Sequence, residues 1–165
     1  MENTPSRPIT ALQLSLRAGV AAAAAVVIAQ FLELEFPIYA LIAAVLVMDL
    51  SPRKTRELAV QRLLGTLLGA TVGALLSYVL PAGPLAMGVG ILAAMLLSFG
   101  LRLGAPAAKL AGYVCGLVVF AYGTRPWWYA SHRVAETLLG IGLAVLVSLV
   151  PKLLGVKLPS ESQSK

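Results

Sequence analysis

Long apolar stretches separated by short polar turns run through almost the whole sequence. Cutting the chain at charges, prolines and loop residues leaves six such segments, at about 10–32, 36–50, 58–80, 85–101, 106–122 and 134–150. A membrane-spanning helix needs about 20 mostly apolar residues. Charged residues occupy 12% of the 165 positions, against about 25% in soluble domains. The pattern predicts an all-α integral membrane protein, a bundle of six transmembrane helices surrounded by lipid.

Residue types that carry chemistry are few. One Cys and one His exclude an internal disulfide, a thiolate zinc cluster and a paired-histidine metal site. We find no phosphate-binding glycine loop with Lys, no nucleophile–base–acid set and no paired carboxylates within the six segments, so catalysis has no visible basis. We therefore predict no enzymatic activity, no metal and no cofactor.

Lysine and arginine residues are distributed unevenly among the turns. With a cytoplasmic N-terminus, eleven of the thirteen lie on or near the cytoplasmic side, and only Arg125 and Arg133 lie outside. Cytoplasmic loops of membrane proteins carry such an excess, so both termini are predicted to be cytoplasmic. The net charge of +6 is thereby explained by topology, without a nucleic-acid partner. The aromatic-rich run 125–129 is predicted to be an outer interfacial loop.

The third and sixth apolar segments share a sequence pattern. Residues 62–77 and 133–148 agree at seven of sixteen positions with a constant offset of 71, and the same offset lays the first segment on the fourth and the second on the fifth. Because three helices per half is an odd number, the second half enters the membrane the other way up. We predict a 3+3 inverted repeat, an arrangement common among transporters. The predicted module covers residues 10–151, with repeats at about 10–80 and 81–151, a cytoplasmic segment at 1–9 and a polar cytoplasmic tail at 152–165.

Ionisable residues inside apolar segments are the first candidates for function, because burying a charge in hydrocarbon costs at least about 2.5–3.5 kcal/mol on insertion scales. An anionic ligand needs cationic groups that face a cavity, and Arg62 and Arg133 are expected near opposite mouths of one path. Anchoring of each arginine at the headgroups is the alternative. The complete predicted anion path comprises Arg17, Arg62, Thr66, Lys109, Arg133 and Thr137.

Two carboxylates are candidates for proton coupling. Glu136 lies one turn from Arg133 on the same helical face, where it either pairs structurally with that arginine or acts as a proton-linked gate. Asp49 ends the second segment, and its alternatives are a helix cap or a pair with Arg53. The lone His132 is interpreted as a solvated loop residue.

Glycines recur at four-residue intervals in the apolar segments. Small residues at this spacing let helix backbones approach closely in lipid. We therefore assign helix packing to Gly65, Gly69, Gly73, Gly112, Gly116 and Gly140. Cys115 is interpreted as a small apolar filler beside them.

The motif RLLGTLLGA at 62–70, with its echo RVAETLLG at 133–140, resembles the fusaric acid resistance-like (FUSC) membrane family, which includes aromatic acid exporters. The resemblance covers residues 12–150. It implies a six-helix module of a bacterial inner membrane that exports small organic anions, especially aromatic carboxylic acids, with Arg62 and Arg133 as functional positions. Large exporters of the family join two modules, so this single module is expected to form a homodimer, and the alternative is that its role has diverged. A passive anion channel and a non-transporting scaffold or accessory subunit are the alternative functions.

Overall fold

The computed structural model describes residues 7–122 and 125–150, with side chains from 10 to 120 and from 125 onwards. The described part is all-helical, as predicted, and contains six helices. They are α1 (Arg7–Phe31), α2 (Pro37–Val47), α3 (Pro52–Val79), α4 (Pro84–Gly100), α5 (Ala105–Tyr122) and α6 (Pro126–Leu149). The predicted tail at 152–165 lies outside the described residues, as do the first six residues of the predicted N-terminal segment.

Four helices begin with proline, at Pro37, Pro52, Pro84 and Pro126. Proline is favoured there because its missing N–H would have no intrahelical partner and its fixed φ already suits a helix. This preference places the start of α3 at Pro52 rather than Leu58, and the start of α6 at Pro126 rather than Val134. The predicted outer loop at 125–129 is therefore wrong from Pro126 onwards. Charged and aromatic residues interrupt the apolar pattern before residue 134, but they are part of helix α6.

Helices α1 and α4 end in the same way. Glu33 and Arg102 adopt positive φ values of 53° and 58°. The N–H groups of Glu33 and Leu34, and those of Arg102 and Leu103, turn back onto carbonyls of the preceding helical turn at 2.9–3.1 Å. This hydrogen-bond pattern is a Schellman motif, which terminates a helix and reverses the chain.

Helices α3 and α6 pack against each other and against most of the remaining helices. Helix α3 also contacts α2, α4 and α5, and helix α6 also contacts α1, α2 and α5. Helix α1 packs on α2, and α4 packs on α5. The two long helices therefore form the centre, where residues from both halves of the chain meet.

Small residues fill the interior, and large apolar residues cover the outside. Ala21, Ala25 and Ala29 of α1 are fully buried, whereas Leu92 and Leu96 of α4 are mostly exposed. A water-soluble fold places its largest apolar side chains inside, while helices in lipid approach one another through small residues. The distribution is that of a protein whose outer surface meets lipid.

Within the described residues, three helices are long and apolar enough to cross a membrane, namely 10–31 of α1, α3 and α6. The other three are apolar but shorter. Helix α2 has 11 residues, which at 1.5 Å per residue gives about 16 Å, roughly half of a 30 Å hydrocarbon core. Helix length therefore supports three of the six predicted crossings directly.

Candidate anion-binding site

A cavity of about 450 Å³ lies between α2, α3 and α5. Its polar lining comes from Gln61 and Arg62 of α3 and from Lys109 and Tyr113 of α5, and the rest of its lining is apolar. Among the described residues that line it, none is acidic. Two cations, an aromatic ring and aliphatic walls are the groups that a small organic anion needs.

Arg62 of α3 and Lys109 of α5 are the two cationic residues that line this cavity. Arg62 is only 8% exposed, and its Nε has no hydrogen-bond partner. Lys109 lies in the second turn of α5 and is exposed. A guanidinium held away from water binds a carboxylate strongly, because its donors match the two carboxylate oxygens.

Arg133 of α6 also lies near Tyr113, although it does not line the cavity. Its Cζ lies 5.5 Å from the centroid of the Tyr113 ring and 3.2 Å from the centroid of the Tyr39 ring. Its charge acts electrostatically on Arg62. Both arginines therefore lie near the Tyr113 ring, since α3 and α6 pack directly against each other. Their placement near opposite mouths of one path stays a prediction.

Glu136 lies one turn further along α6 and is fully buried. Its Oε1 accepts a hydrogen bond of 2.8 Å from the backbone N–H of Phe36, at the start of α2. Its Oε2 has no partner, and neither do Nε and Nη1 of Arg133. The ion pairs within the described residues join Arg53 to Glu57 and Lys54 to Asp49. The Glu136–Arg133 ion pair, one of the two alternatives considered from the sequence, is not among them.

An aromatic cluster of Phe36, Tyr39, Trp128 and Tyr129 packs beside Arg133. Tyr129 contacts the rings of Phe36 and Tyr39 at centroid distances of 5.6 and 6.4 Å, and its hydroxyl donates to that of Tyr39 at 3.1 Å. Tyr129 is fully buried, so its side chain belongs to the interior of the bundle. Sequence reasoning missed this cluster as part of the site, although the closely spaced aromatics of 36–39 and 127–129 were a signal.

His132 also belongs to α6 and not to a loop. Its ring lies 4.2 Å from that of Trp128, and its Nδ1 is 2.8 Å from the Trp128 carbonyl. The residue is half-buried, so the interpretation as a solvated loop residue is wrong.

Arg17 does not line the cavity. Its side chain connects three chain segments through hydrogen bonds. Its Nη2 donates to the carbonyl of Val150 at 3.1 Å, and its Nη1 contacts that of Leu50 at 3.4 Å. The side chain is 1% exposed. Arg17 therefore connects α1 to the turn after α2 and to the residue that follows α6.

Asp49 lies in the turn before α3, also apart from the cavity lining. Its carboxylate accepts from the N–H of Ser51 at 3.1 Å and pairs with Lys54 at 3.2 Å. Arg53, the partner considered from the sequence, pairs with Glu57 at 3.4 Å instead. The Asp49 carboxylate thus stabilises the turn that leads into α3.

Both threonines of the predicted path are buried. Thr66 is 1% exposed and Thr137 is 2% exposed. Each lies one turn past its arginine, on the same helical face. These positions place them inside the bundle along the packed faces of α3 and α6.

The glycines assigned to packing lie where helices approach each other. A Cβ on Gly65, Gly69 or Gly73 would run into α5, and at Gly69 it would meet the Ala111 carbonyl. Gly112 and Gly116 of α5 face side chains of α4, and Gly140 of α6 faces the Ala40 carbonyl of α2. Cys115 is fully buried among these contacts.

Comparison with known proteins identifies the family. A family model described as fusaric acid resistance protein-like matches residues 23–147, which are 125 of the 165 residues. No curated protein and no solved structure matches the chain. The family is one of membrane transport and resistance proteins, in agreement with the apolar helices. The chain belongs to the fusaric acid resistance protein-like family of membrane proteins.

Proposed function

We propose that the protein exports small organic anions, above all aromatic carboxylates, from the cytoplasm. The observation that carries this proposal is the 450 Å³ cavity in which Arg62, Lys109 and Tyr113 meet apolar walls. A carboxylate would bind Arg62 through charge-assisted hydrogen bonds, while an aromatic body would pack on Tyr113 and the aliphatic side chains. Family membership supports transport as the activity.

The two halves of the chain are proposed to form an inverted repeat. Exchanging α1–α3 with α4–α6 leaves the set of contacting helix pairs unchanged. Gly69 packs on Ala111 just as Gly140 packs on Ala40, and both partners of the first contact are related to those of the second by the offset of 71. The common Schellman ends of α1 and α4 also support the repeat. A binding site at the interface of the two repeats is typical of transporters.

The proposed membrane arrangement has six crossings of a bacterial inner membrane with both termini in the cytoplasm. The charges of the turns support it: Glu33 and Glu35 follow α1, whereas Arg102 follows α4. In this orientation the turn before α5 is cytoplasmic, and Lys109 lies just beyond it. The cavity would then receive its anion from the cytoplasm. A homodimer remains a prediction, to be checked from the mass of the purified protein in detergent.

Proton coupling is proposed to involve Glu136 rather than Asp49. Glu136 is buried with one free carboxylate oxygen, so a proton at that atom would alter the charge of the interior. Asp49 already has Lys54 as its partner. Its protonation would affect chiefly the turn before α3.

Flux measurements in inverted membrane vesicles test the proposal. Radiolabelled benzoate should enter vesicles that contain the wild-type protein, and Arg62→Gln should abolish this uptake without reducing membrane insertion. Arg53→Gln removes the same charge from an exposed helix position and should leave uptake intact. Unchanged flux in R62Q would refute the role of the cavity. Current through the purified wild-type protein in a planar bilayer, driven by voltage alone, would indicate a channel instead.

A further inference from the structure

Arg133 and Glu136 form a buried polar centre that is absent from the lining of the 450 Å³ cavity. They are 2% and 0% exposed. Two nitrogens of the arginine and one oxygen of the glutamate have no hydrogen-bond partner. Buried polar atoms without partners are rare and costly, and in a native structure they call for an explanation. Helix packing does not explain them, because packing alone is better satisfied by apolar side chains.

The surroundings of both groups hold them in place without occupying their free atoms. The Arg133 guanidinium lies over the Tyr39 ring, with its Cζ 3.2 Å from the ring centroid, a contact that supports a cation while leaving N–H groups in its plane available. The N–H of Phe36 holds Oε1 of Glu136, which leaves Oε2 unoccupied. Tyr113 lines the cavity and its ring centroid also lies 5.5 Å from Cζ of Arg133, so it is next to both places.

We propose that Arg133 and Glu136 form a second, occluded carboxylate-binding site beyond Tyr113, which takes up the organic anion together with one proton. The anion's carboxylate binds the free N–H groups of Arg133. A proton from solution adds to Oε2 of Glu136, whose new O–H donates to the same ligand carboxylate. The inference rests on the proposed function, because the cytoplasmic-side cavity supplies the anion.

Charge balance explains why the proton accompanies the anion. With Glu136 ionised, an arriving carboxylate would share the Arg133 cation with a second carboxylate in a low-dielectric interior, where like charges at short range cannot both persist. The charges that act on Glu136 are those of Arg133 and His132 on α6 and of Glu35 before α2. Arg62 on α3 interacts electrostatically with Arg133. The two tyrosines, Tyr39 on α2 and Tyr113 on α5, face the Arg133 side chain.

Proton uptake by the wild-type protein is the first test. Benzoate is titrated into purified full-length protein in detergent by calorimetry, at one pH in two buffers that differ in ionisation enthalpy, which yields the number of protons taken up per anion. We expect a net uptake approaching one proton for each anion bound at the Arg133–Glu136 site, and an affinity at this site that falls by up to about tenfold per pH unit above the ionisation of Glu136. Benzoate binding without proton uptake would overturn the inference and the coupling role of Glu136, while leaving the proposed export of organic anions standing.

Variants assign the proton and the anion to their residues. Glu136→Gln keeps an oxygen for the Phe36 N–H but cannot ionise, so it should bind benzoate with no proton uptake and with an affinity independent of pH. Arg133→Lys keeps the charge without the planar donor pair, and should weaken binding at least tenfold. Arg53→Gln should match wild type in both measurements. Unaltered proton uptake in E136Q would refute the site, and the absence of any benzoate binding to wild type would overturn both proposals.

Discussion

Replacing Gly140 by alanine should destabilise the bundle, while the same change two residues later should not. A Cβ at position 140 would overlap the carbonyl of Ala40 and come too close to the Cβ of Ala43, one helical turn further along α2. The carbonyl belongs to helix backbone and has no rotamer to change, so α6 and α2 must separate. Overpacking of this kind costs about 1–3 kcal/mol.

Gly142→Ala is the matched control on the same helix, because its Cβ would meet nothing within 4 Å. Alanine has the higher helix propensity, by roughly 0.5–1 kcal/mol, and both variants share that gain. The difference between them therefore isolates the close contact, at about 1–3 kcal/mol. For a chain of this size 1 kcal/mol corresponds to about 2–4 °C, so G140A should unfold roughly 2–12 °C below G142A.

Thermal unfolding of the two variants in the same detergent, followed by helical circular dichroism, measures this difference. Gly69→Ala provides an internal repeat of the experiment, since a Cβ there would overlap the Ala111 carbonyl. It should lower the midpoint by an amount comparable to G140A. Equal midpoints for G140A and G142A would show that α6 and α2 are not in close contact, and would remove the packing argument for both symmetry-related sites.

Three further predictions concern the hydrogen bonds of Arg17, the turn after α1 and the orientation of the protein in the membrane. Arg17→Gln should lower the free energy of unfolding by about 1.5–3 kcal/mol, because it loses charge-assisted hydrogen bonds to the carbonyls near the ends of α2 and α6. Its affinity for benzoate should be preserved, and a loss of affinity in the folded variant would contradict a purely structural role. Glu33→Gly should raise the unfolding midpoint by the equivalent of about 1 kcal/mol, since the positive φ of 53° strains a residue with a side chain, whereas the exposed Glu35→Gly should give no such gain. Glu35→Cys and Lys54→Cys are made one at a time in a Cys115→Ala background and treated with membrane-impermeant thiol reagents. Glu35→Cys should react from the outer side and Lys54→Cys from the cytoplasmic side. Reaction of both from the same side would refute the topology.

The helical class and the number of helices could be predicted from the sequence because both follow from local properties. Apolar length and turn residues located all six helices, and the helices whose predicted limits were set by turn residues match the structure closely, as α4 and α5 show. The starts of α3 and α6 were predicted too late because a charge was treated as a helix boundary. In a membrane protein a charge marks the edge of the hydrocarbon region, and the helix continues beyond it into the interface.

The candidate site was only partly predictable. Arg62, Lys109, Arg133 and Glu136 were singled out because a charge in an apolar segment is costly wherever the segment packs. Their groupings were not predictable, because a sequence does not say which helices face each other. Arg17 is an example: it met the same criterion as Arg62, yet its donors contact carbonyls of Leu50 and Val150, which are 33 and 133 residues away.

Sequence alone determined that this chain is a helical membrane protein with a few buried cations and an echoed motif, since hydrophobicity, charge and helix-starting prolines act within a few residues. Only the tertiary structure decided that Arg62 and Arg133 approach one tyrosine, that Glu136 accepts a hydrogen bond from the N–H of Phe36 just before α2, and that Arg17 connects α1 to two distant carbonyls. Those outcomes depend on which helices pack against each other, and this packing arises from contacts between residues far apart in the chain.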